Sequence, residues 1–247
     1  MALRFEQVTF WYRRAAGPVL DRFSWQVPTG RTVLLGPNGA GKSTLLAVGA
    51  DALRPARGRV RLESLDPRRR ADRAAYRRAV GWMPQQVRAV PGLTAQEQVA
   101  YAGWLKGLPR SRAWLAASEA LGRVGLAELA GQKAATLSGG QLRRVGLAQA
   151  LVHGAKVLLL DEPTAGLDPA QRARFRELLV ALPPELPVVV STHQVDDLSE
   201  LFDTVVVLDR GVIRFTGTVP AFLELAAPAE AGKRAEAAYA RVVAGER

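Results

Sequence analysis

The sequence predicts an α/β fold built on a mostly parallel β-sheet. Short apolar runs typical of strands alternate with helical patterns along the 247-residue chain, which is the arrangement of doubly wound sheets. Four of these runs, centred on Leu34, Leu159, Val189 and Val206, have few polar interruptions, as strands buried on both faces do. The N-terminal strands and the hairpin turn Asp209-Arg210-Gly211 predict an added antiparallel layer.

Each element is predicted from its apolar period and from the turn residues that bound it. The expected strands are Leu3–Phe10, Val19–Val27, Thr32–Leu35, Arg59–Leu62, Val80–Met83, Val157–Leu160, Pro187–Val190, Thr204–Leu208 and Val212–Phe215. The expected helices are Lys42–Leu53, Thr94–Lys106, Ser111–Val124, Ser138–Val152, Pro169–Leu182 and Gln194–Phe202.

The strand pattern disappears between residues 86 and 152, which predicts a helical subdomain inserted into the sheet domain. We therefore expect one domain over residues 1–227, with its core in 1–85 and 153–227 and the helical subdomain in 86–152. An Ala-rich helical tail is expected over 228–247. Because 48% of the residues are hydrophobic and 23% are charged, wholesale disorder is excluded.

The chain is basic, with 34 Lys and Arg against 23 Asp and Glu. Its densest cluster lies at Arg68–Arg70, Arg73 and Arg77–Arg78. A solvated helix is the expected structure there, with acidic lipids or a membrane subunit as the alternative contact. Aromatic residues do not alternate with these arginines, so no nucleic-acid partner is expected. The absence of cysteine excludes disulfides and thiolate chemistry.

A glycine-rich phosphate-binding loop follows the predicted strand Thr32–Leu35. Its residues are Gly36, Pro37, Asn38, Gly39, Ala40, Gly41, Lys42 and Ser43. Backbone N–H groups of such a loop converge on phosphate oxygens. Lys42 is expected to reach the β- and γ-phosphates, Ser43 to bind Mg²⁺ and Thr44 to contact the α-phosphate. The pattern predicts a P-loop NTPase (RecA-like) core.

Two acidic residues end the buried strand Val157–Leu160. Asp161 and Glu162 are placed where ligands bind in open α/β sheets, at the carboxyl ends of the strands. Asp161 is expected to hold Mg²⁺. Glu162 points differently because it is one residue further on, which suits it to polarise a water that attacks the γ-phosphate.

The segment Leu137-Ser138-Gly139-Gly140-Gln141 begins a predicted helix. Ser138 and Gln141 have the spacing of a capping box, so a plain helix start is one interpretation. Two glycines in a first turn weaken a helix by about 1 kcal/mol each, and close approach of the backbone to an anion would explain them.

With this segment the chain resembles the ATP-binding subunit of ABC (ATP-binding cassette) transporters, whose signature is LSGGQ. The resemblance extends from about Leu3 to Leu225, with the motifs in the family's order. It implies ATP and Mg²⁺ as ligands and a head-to-tail dimer with a second ATP-binding subunit. Ser138, Gly139, Gly140 and Gln141 would then cover the ATP that is bound to the partner's phosphate loop.

The resemblance also implies roles for further residues. Tyr12 would stack on adenine, while Trp11 points the other way. Gln85 would contact Mg²⁺ and water, with Gln86 a less favoured stand-in. Asp168 would link the two sites across the dimer and would also cap the helix that starts at Pro169. His193 would contact the γ-phosphate and orient the water; His153, the other histidine, is expected to be a solvated helix-end residue.

As no apolar run is long enough to span a membrane, a chain in the cytoplasm, peripheral on the inner face of the membrane, is expected. It would work with integral membrane permease subunits. The stretches Leu93–Gly107 and Ser191–Asp203 are most similar to cassettes of bacterial drug or lipid exporters, so export is expected. An importer cassette is the nearest alternative, and an ABC ATPase that acts on nucleic acid or ribosomes is the less favoured one.

Overall fold

The computed structural model describes residues 2–13, 17–193, 201–226 and 233–245. The strands are β1 (Leu3–Phe10), β2 (Leu20–Gln26), β3 (Arg31–Leu35), β4 (Arg57–Leu62), β5 (Val80–Met83), β6 (Val157–Asp161), β7 (Val188–Thr192), β8 (Thr204–Asp209) and β9 (Val212–Thr218). The helices are α1 (Lys42–Gly49), α2 (Arg70–Ala79), α3 (Ala95–Leu105), α4 (Arg110–Arg123), α5 (Gly139–Leu151), α6 (Pro169–Val180), α7 (Val219–Leu223) and α8 (Arg234–Ala244).

The central sheet confirms the predicted fold class. Its order is β5-β6-β7-β3-β8-β9, and every pairing except the antiparallel β8–β9 edge is parallel. The carboxyl ends of β3, β6 and β7 therefore lie at one edge of the sheet, where the phosphate loop follows β3, Asp161 ends β6 and Glu162 comes next. The fold thus assembles the candidate site from segments far apart in sequence.

A smaller antiparallel sheet of order β2-β1-β4 is the predicted added layer. The prediction placed the Asp209-Arg210-Gly211 hairpin in this layer too, and that was wrong. The hairpin joins β8 to β9, because β8 is an apolar strand paired with β3 and its antiparallel neighbour extends the large sheet. Arg210 and Gly211 take φ values of 47° and 74°, as hairpin turns with a right-handed twist require.

Residue alternation along the buried strands divides the core into layers. Leu34 and Leu159 face the antiparallel sheet and pack with Phe5, which stacks on Trp25 at 5.9 Å between ring centroids. The neighbours of Leu159 pack instead with α5 and α6 in a second cluster. Both faces of the sheet are therefore covered, as the apolar strands predicted.

The described part of the 86–152 stretch contains helices α3, α4 and α5, and two short 3₁₀ turns, with no strand. Several helix ends differ from the predictions: α1 ends at Gly49 and α6 at Val180. Helix α7 was not predicted. Of the predicted helix 194–202, residues 194–200 lie outside the described residues. No helix in the described ranges is long and apolar enough to cross a membrane.

The prediction for His153 was wrong, because its side chain is only 4% exposed. The chain turns under the end of α2 after α5, so the ring lies against the α2 carbonyl groups, with Nδ1 2.8 Å from the Arg78 carbonyl oxygen. Beside it, Lys106 Nζ donates to the carbonyl oxygens of Arg77 and Val80 at 2.6 and 2.9 Å. Two side chains from the 86–153 stretch thus cap the C-terminus of α2.

Candidate nucleotide site

The phosphate loop connects β3 to α1 in the predicted strand–loop–helix order. A Cβ atom at Gly36 would lie 2.2 Å from the Leu208 carbonyl oxygen of β8, so only glycine fits where the loop crosses the sheet. Gly41, which precedes the helix, has a φ of 103°, in the left-handed region that glycine adopts without strain. The backbone thus requires glycine at both ends of the loop.

Lys42 lies inside this loop and is 5% exposed. Its ammonium group donates to the carbonyl oxygens of Gly36 at 2.6 Å and Pro37 at 3.1 Å. Burial lowers the pKa of Lys42, and the negative charges of Glu162 and Asp161 oppose that shift. A cation in this position, near backbone N–H groups at a helix start, favours the binding of phosphate.

Asp161 joins the phosphate loop to the end of β6. The Ser43 hydroxyl donates to Asp161 Oδ1 at 3.0 Å, so the structure brings together two of the residues predicted to bind Mg²⁺. Ser191 Oγ donates to the same oxygen at 2.6 Å. Ser191 was not predicted to be a site residue, although the pairing of Asp161 with Ser191 in the β6–β7 register places them side by side.

Three predicted catalytic side chains meet at Glu162. Gln85 Nε2 donates to Glu162 Oε2 at 3.1 Å, and His193 Nδ1 lies 3.3 Å from Glu162 Oε1. The Glu162 side chain is 11% exposed and that of His193 is 48% exposed. The Glu162 carboxylate therefore contacts Gln85 through one oxygen and His193 through the other, and it stays close to the solvent-exposed side of the site.

The backbone of Glu162 is also unusual, with a φ of 44°. A residue with a Cβ in this region costs on the order of 1–3 kcal/mol and persists only where its surroundings hold it. The Glu162 N–H donates to the Ser191 carbonyl oxygen at 3.1 Å and to Ser191 Oγ at 3.0 Å. Ser191 thus holds the main chain from which the Glu162 carboxylate extends.

The oxygen donors at this edge of the sheet suit Mg²⁺. Hydroxyl, carboxylate and amide oxygens are available from Ser43, Asp161 and Gln85, and hard cations prefer oxygen ligands. The Ser43–Asp161 hydrogen bond shows that the first two can approach one point.

Tyr12 lies beside the first turn of α1. Its hydroxyl is 3.1 Å from Thr44 Oγ1, and its ring, 48% exposed, meets Phe10 edge-on at 5.0 Å. The structure thus brings together the residues predicted to contact adenine and the α-phosphate. Trp11 is 45% exposed.

The signature segment lies apart from this cluster, at the start of α5. Ser138 caps the helix, and the predicted capping box with Gln141 is present, at 3.3 Å and 2.8 Å. Ser138 and Gly139 are exposed, and a Cβ atom at Gly139 would meet nothing within 4 Å. Among the residues described, no hydrogen bond joins Ser138 or Gln141 to the phosphate loop of the same chain.

Asp168 is exposed and caps α6, as predicted. Its Oδ1 accepts the backbone N–H of Gln171 at 2.8 Å, and Pro169 follows in the first turn. A Cβ atom at Gly140 would lie 2.4 Å from Gln171 Oε1. The Gln171 side chain at the start of α6 therefore packs directly on the signature turn.

A phosphate loop, an acidic strand end and a glutamate held by Gln85 and His193 define a P-loop ATPase. The family model described as ABC transporter matches residues 20–165, more than half of the chain. The uncharacterized ABC transporter ATP-binding protein YxlF of Bacillus subtilis is 38% identical over 184 residues, which cover 74% of this chain and 60% of that protein. The methionine import ATP-binding protein MetN of Caulobacter vibrioides is 36% identical over 222 residues, covering 88% and 67%.

Solved structures agree with these relatives. A dimeric structure of a bacterial ABC transporter cassette matches with a TM-score of 0.77 at 26% identity, covering 88% of this chain and 98% of that one. The same cassette in a dimeric post-hydrolysis state, bound to ADP and Pi, matches equally well at 25% identity. The chain belongs to the ABC transporter family and carries its ATPase cassette.

Proposed function

We propose that this chain is an ATP-hydrolysing subunit that drives transport through separate membrane subunits. The observation that carries the proposal is the convergence of Gln85 and His193 on the two oxygens of Glu162, next to the phosphate loop. Glu162 polarises the attacking water, and His193 orients it towards the γ-phosphate. General-base catalysis of this kind contributes roughly 10²–10⁴-fold to the rate.

The other site residues bind and orient the nucleotide. Backbone N–H groups of residues 36–41 and the Lys42 ammonium hold the phosphates, with Thr44 at the α-phosphate and Tyr12 against adenine. Ser43, Asp161 and Gln85 hold Mg²⁺, which neutralises negative charge on the phosphates when it is bound.

The signature acts on the ATP of a second subunit. Its exposed turn at Ser138 and Gly139 is free to cover a partner's phosphate loop, and the solved relative is dimeric. Asp168 lies at the same surface, at the start of the helix that packs on this turn. Two chains arranged head to tail thus complete two sites.

An aromatic groove between α3 and α4 is the proposed contact with the membrane subunits. This α3–α4 groove has a volume of about 590 Å³ and is lined by Leu93, Glu97, Ala100, Tyr101, Trp104, Arg110, Ala113 and Trp114. Trp104 and Trp114 are 50% and 47% exposed. A short helix of a permease would bury them and hold the chain at the inner face of the membrane.

The direction of transport is import in this proposal. The MetN relative is named as an import ATP-binding protein, and this favours import over the export expected from the sequence. An uptake assay compares the intracellular level of a labelled solute in cells with and without the gene. A lower level in cells without the gene supports import, whereas a higher level in those cells supports export.

The substitution Glu162→Gln tests the catalytic proposal. Because the amide keeps the shape of the carboxylate but is not a base, ATP binding should persist while hydrolysis falls by about 10²-fold or more. A dimer that traps ATP should accumulate in size-exclusion chromatography. Full ATPase activity in this variant contradicts the assigned role.

The double substitution Trp104→Glu with Trp114→Glu tests the membrane contact. The variant should no longer copurify with the permease from native membranes, because binding would bury two glutamate charges in an apolar contact. Its nucleotide affinity should stay at the wild-type value. Val180→Glu, at an exposed apolar residue of α6, is the matched control and should still copurify. Equal recovery of both variants overturns the assignment of the groove.

A further inference from the structure

Arg143 links three segments of the ATPase site. It lies in α5 two residues after the end of the signature, and its guanidinium donates to the backbone carbonyl oxygen of Gln85. A longer hydrogen bond of 3.4 Å reaches the carbonyl oxygen of Ala165, in the segment that follows Glu162. The signature helix is therefore tied both to the glutamine segment after β5 and to the loop that leads to α6.

The hydrogen bond from Arg143 to the Gln85 backbone is important because the Gln85 side chain contacts the proposed general base, Glu162. The Gln85 side chain donates to Glu162 Oε2 at 3.1 Å, while Arg143 holds the main chain from which that side chain extends. Burial lowers the pKa of Arg143, and the charges of Glu162 and Asp161 oppose the shift, so the guanidinium is within electrostatic reach of both carboxylates.

We propose that Arg143 is a positioning residue for ATP hydrolysis: it holds Gln85 in the orientation that contacts Glu162, and it makes that orientation depend on the position of the signature helix. The inference rests on the proposed role of Glu162. Arg143 itself touches no reacting atom in this proposal. A planar guanidinium suits the task, because its two terminal nitrogens donate to carbonyl oxygens of two different segments.

The neighbouring Arg144 provides a matched control. Its guanidinium donates to the carbonyl oxygens of Val124 and Gly125 at 3.1 and 3.0 Å, at the end of α4. Both arginines thus brace α5 through backbone carbonyl groups, but only Arg143 does so at Gln85. A merely structural role predicts similar effects for the two substitutions.

The test compares Arg143→Met and Arg144→Met in the full chain. Arg143→Met should lower kcat about tenfold or more, since small misplacements of catalytic groups have effects of this size, while the KM for ATP changes less than about twofold. Arg143→Lys should recover part of the lost kcat. Arg144→Met should lower the melting temperature but keep the wild-type kcat. If Arg143→Met does not fold, Arg143→Lys replaces it. Its kcat is then compared with that of an Arg144 variant that has a similar melting temperature.

A double-mutant cycle with Gln85→Ala shows whether Arg143 acts through Gln85. Adding Arg143→Met to Gln85→Ala should lower kcat little further, because the positioned side chain is already absent. Additive losses, a wild-type kcat for Arg143→Met, or an equal loss in Arg144→Met overturn the inference. Glu162→Gln serves as the reference: if it retains full activity, the proposed function fails, whereas a failure confined to Arg143 leaves that function intact.

Discussion

At the scale of single residues, Gly36 has the most restricted surroundings in the phosphate loop. Gly36→Ala should destabilise the fold by roughly 1–3 kcal/mol, because its Cβ would lie 2.2 Å from a backbone carbonyl oxygen that cannot move aside. Gly122→Ala is the control: this exposed glycine of α4 has open space around it, and alanine should stabilise the helix by about 0.5–1 kcal/mol. Urea unfolding measures both, and similar changes in the two variants would contradict the explanation.

Tyr12 allows the ring and the hydroxyl to be separated. Tyr12→Ala should raise the Kd for ATP about tenfold, since stacking on a base contributes roughly 1–3 kcal/mol. Tyr12→Phe removes only the hydrogen bond to Thr44 and should keep ATP affinity close to wild type. Titration with a fluorescent ATP analogue checks both; unchanged affinity in Tyr12→Ala rules out the adenine contact.

Residues whose motifs are local could be predicted from the sequence, whereas residues defined by distant partners could not. Lys42 and Asp161 belong to patterns of a few neighbouring residues, and the structure brings them to one site as expected. Ser191 and Arg143 contact segments 22 or more positions away, so only the folded register reveals them. His153 was wrongly predicted to be solvated for the same reason, because its burial depends on contact with α2, which is distant in sequence.

At the scale of elements, the C-terminus of α2 is capped by a histidine with a strongly shifted pKa. Burial, with a smaller effect from the nearby Lys106 charge, lowers the pKa of His153 from 6.5 to about 4. As the pH falls below 6.5, the unfolded chain binds this proton first, so stability falls between pH 6.5 and 4 and then levels off. The effect is up to about 3 kcal/mol.

The substitution His153→Asn tests this contribution. An asparagine amide can still donate to the Arg78 carbonyl oxygen but does not titrate, so the free energy of unfolding should depend less on pH between 6.5 and 4 than it does in the wild type. Urea unfolding at several pH values gives the two slopes. Parallel curves for the two proteins would contradict the assignment to His153.

Element types and the parallel sheet followed from apolar patterns, whereas element ends and pairings depended on packing. Helix α1 was predicted to Leu53 but ends at Gly49. A Cβ at Gly49 would lie only 3.0 Å from side-chain atoms of Leu159 and Phe5, so the helix end fits closely between the two sheets. Close approach of this kind has no local sequence pattern.

At the scale of the whole molecule, the separation of the signature from the phosphate loop supports the proposed head-to-tail dimer. Lys42, Asp161 and Glu162 meet at the sheet edge, whereas Ser138 begins an exposed turn of α5.

The basic cluster at residues 68–78 is partly explained by contacts within the chain. Arg77 pairs with Asp51 at 2.6 Å, and Arg68 and Arg73 donate to backbone carbonyl oxygens.

Each ATP site is proposed to use Lys42 of one chain and Ser138 of another, so two variants that are inactive alone should restore activity when they are mixed. Lys42→Ala removes the phosphate contact and Ser138→Phe blocks the signature, so each homodimer should be inactive. Their mixture forms heterodimers with one intact site, and ATPase activity should return, up to about a quarter of the wild-type rate for random pairing. A mixture no more active than its separate components, or full activity of Ser138→Phe alone, would rule out an ATP site shared between two chains.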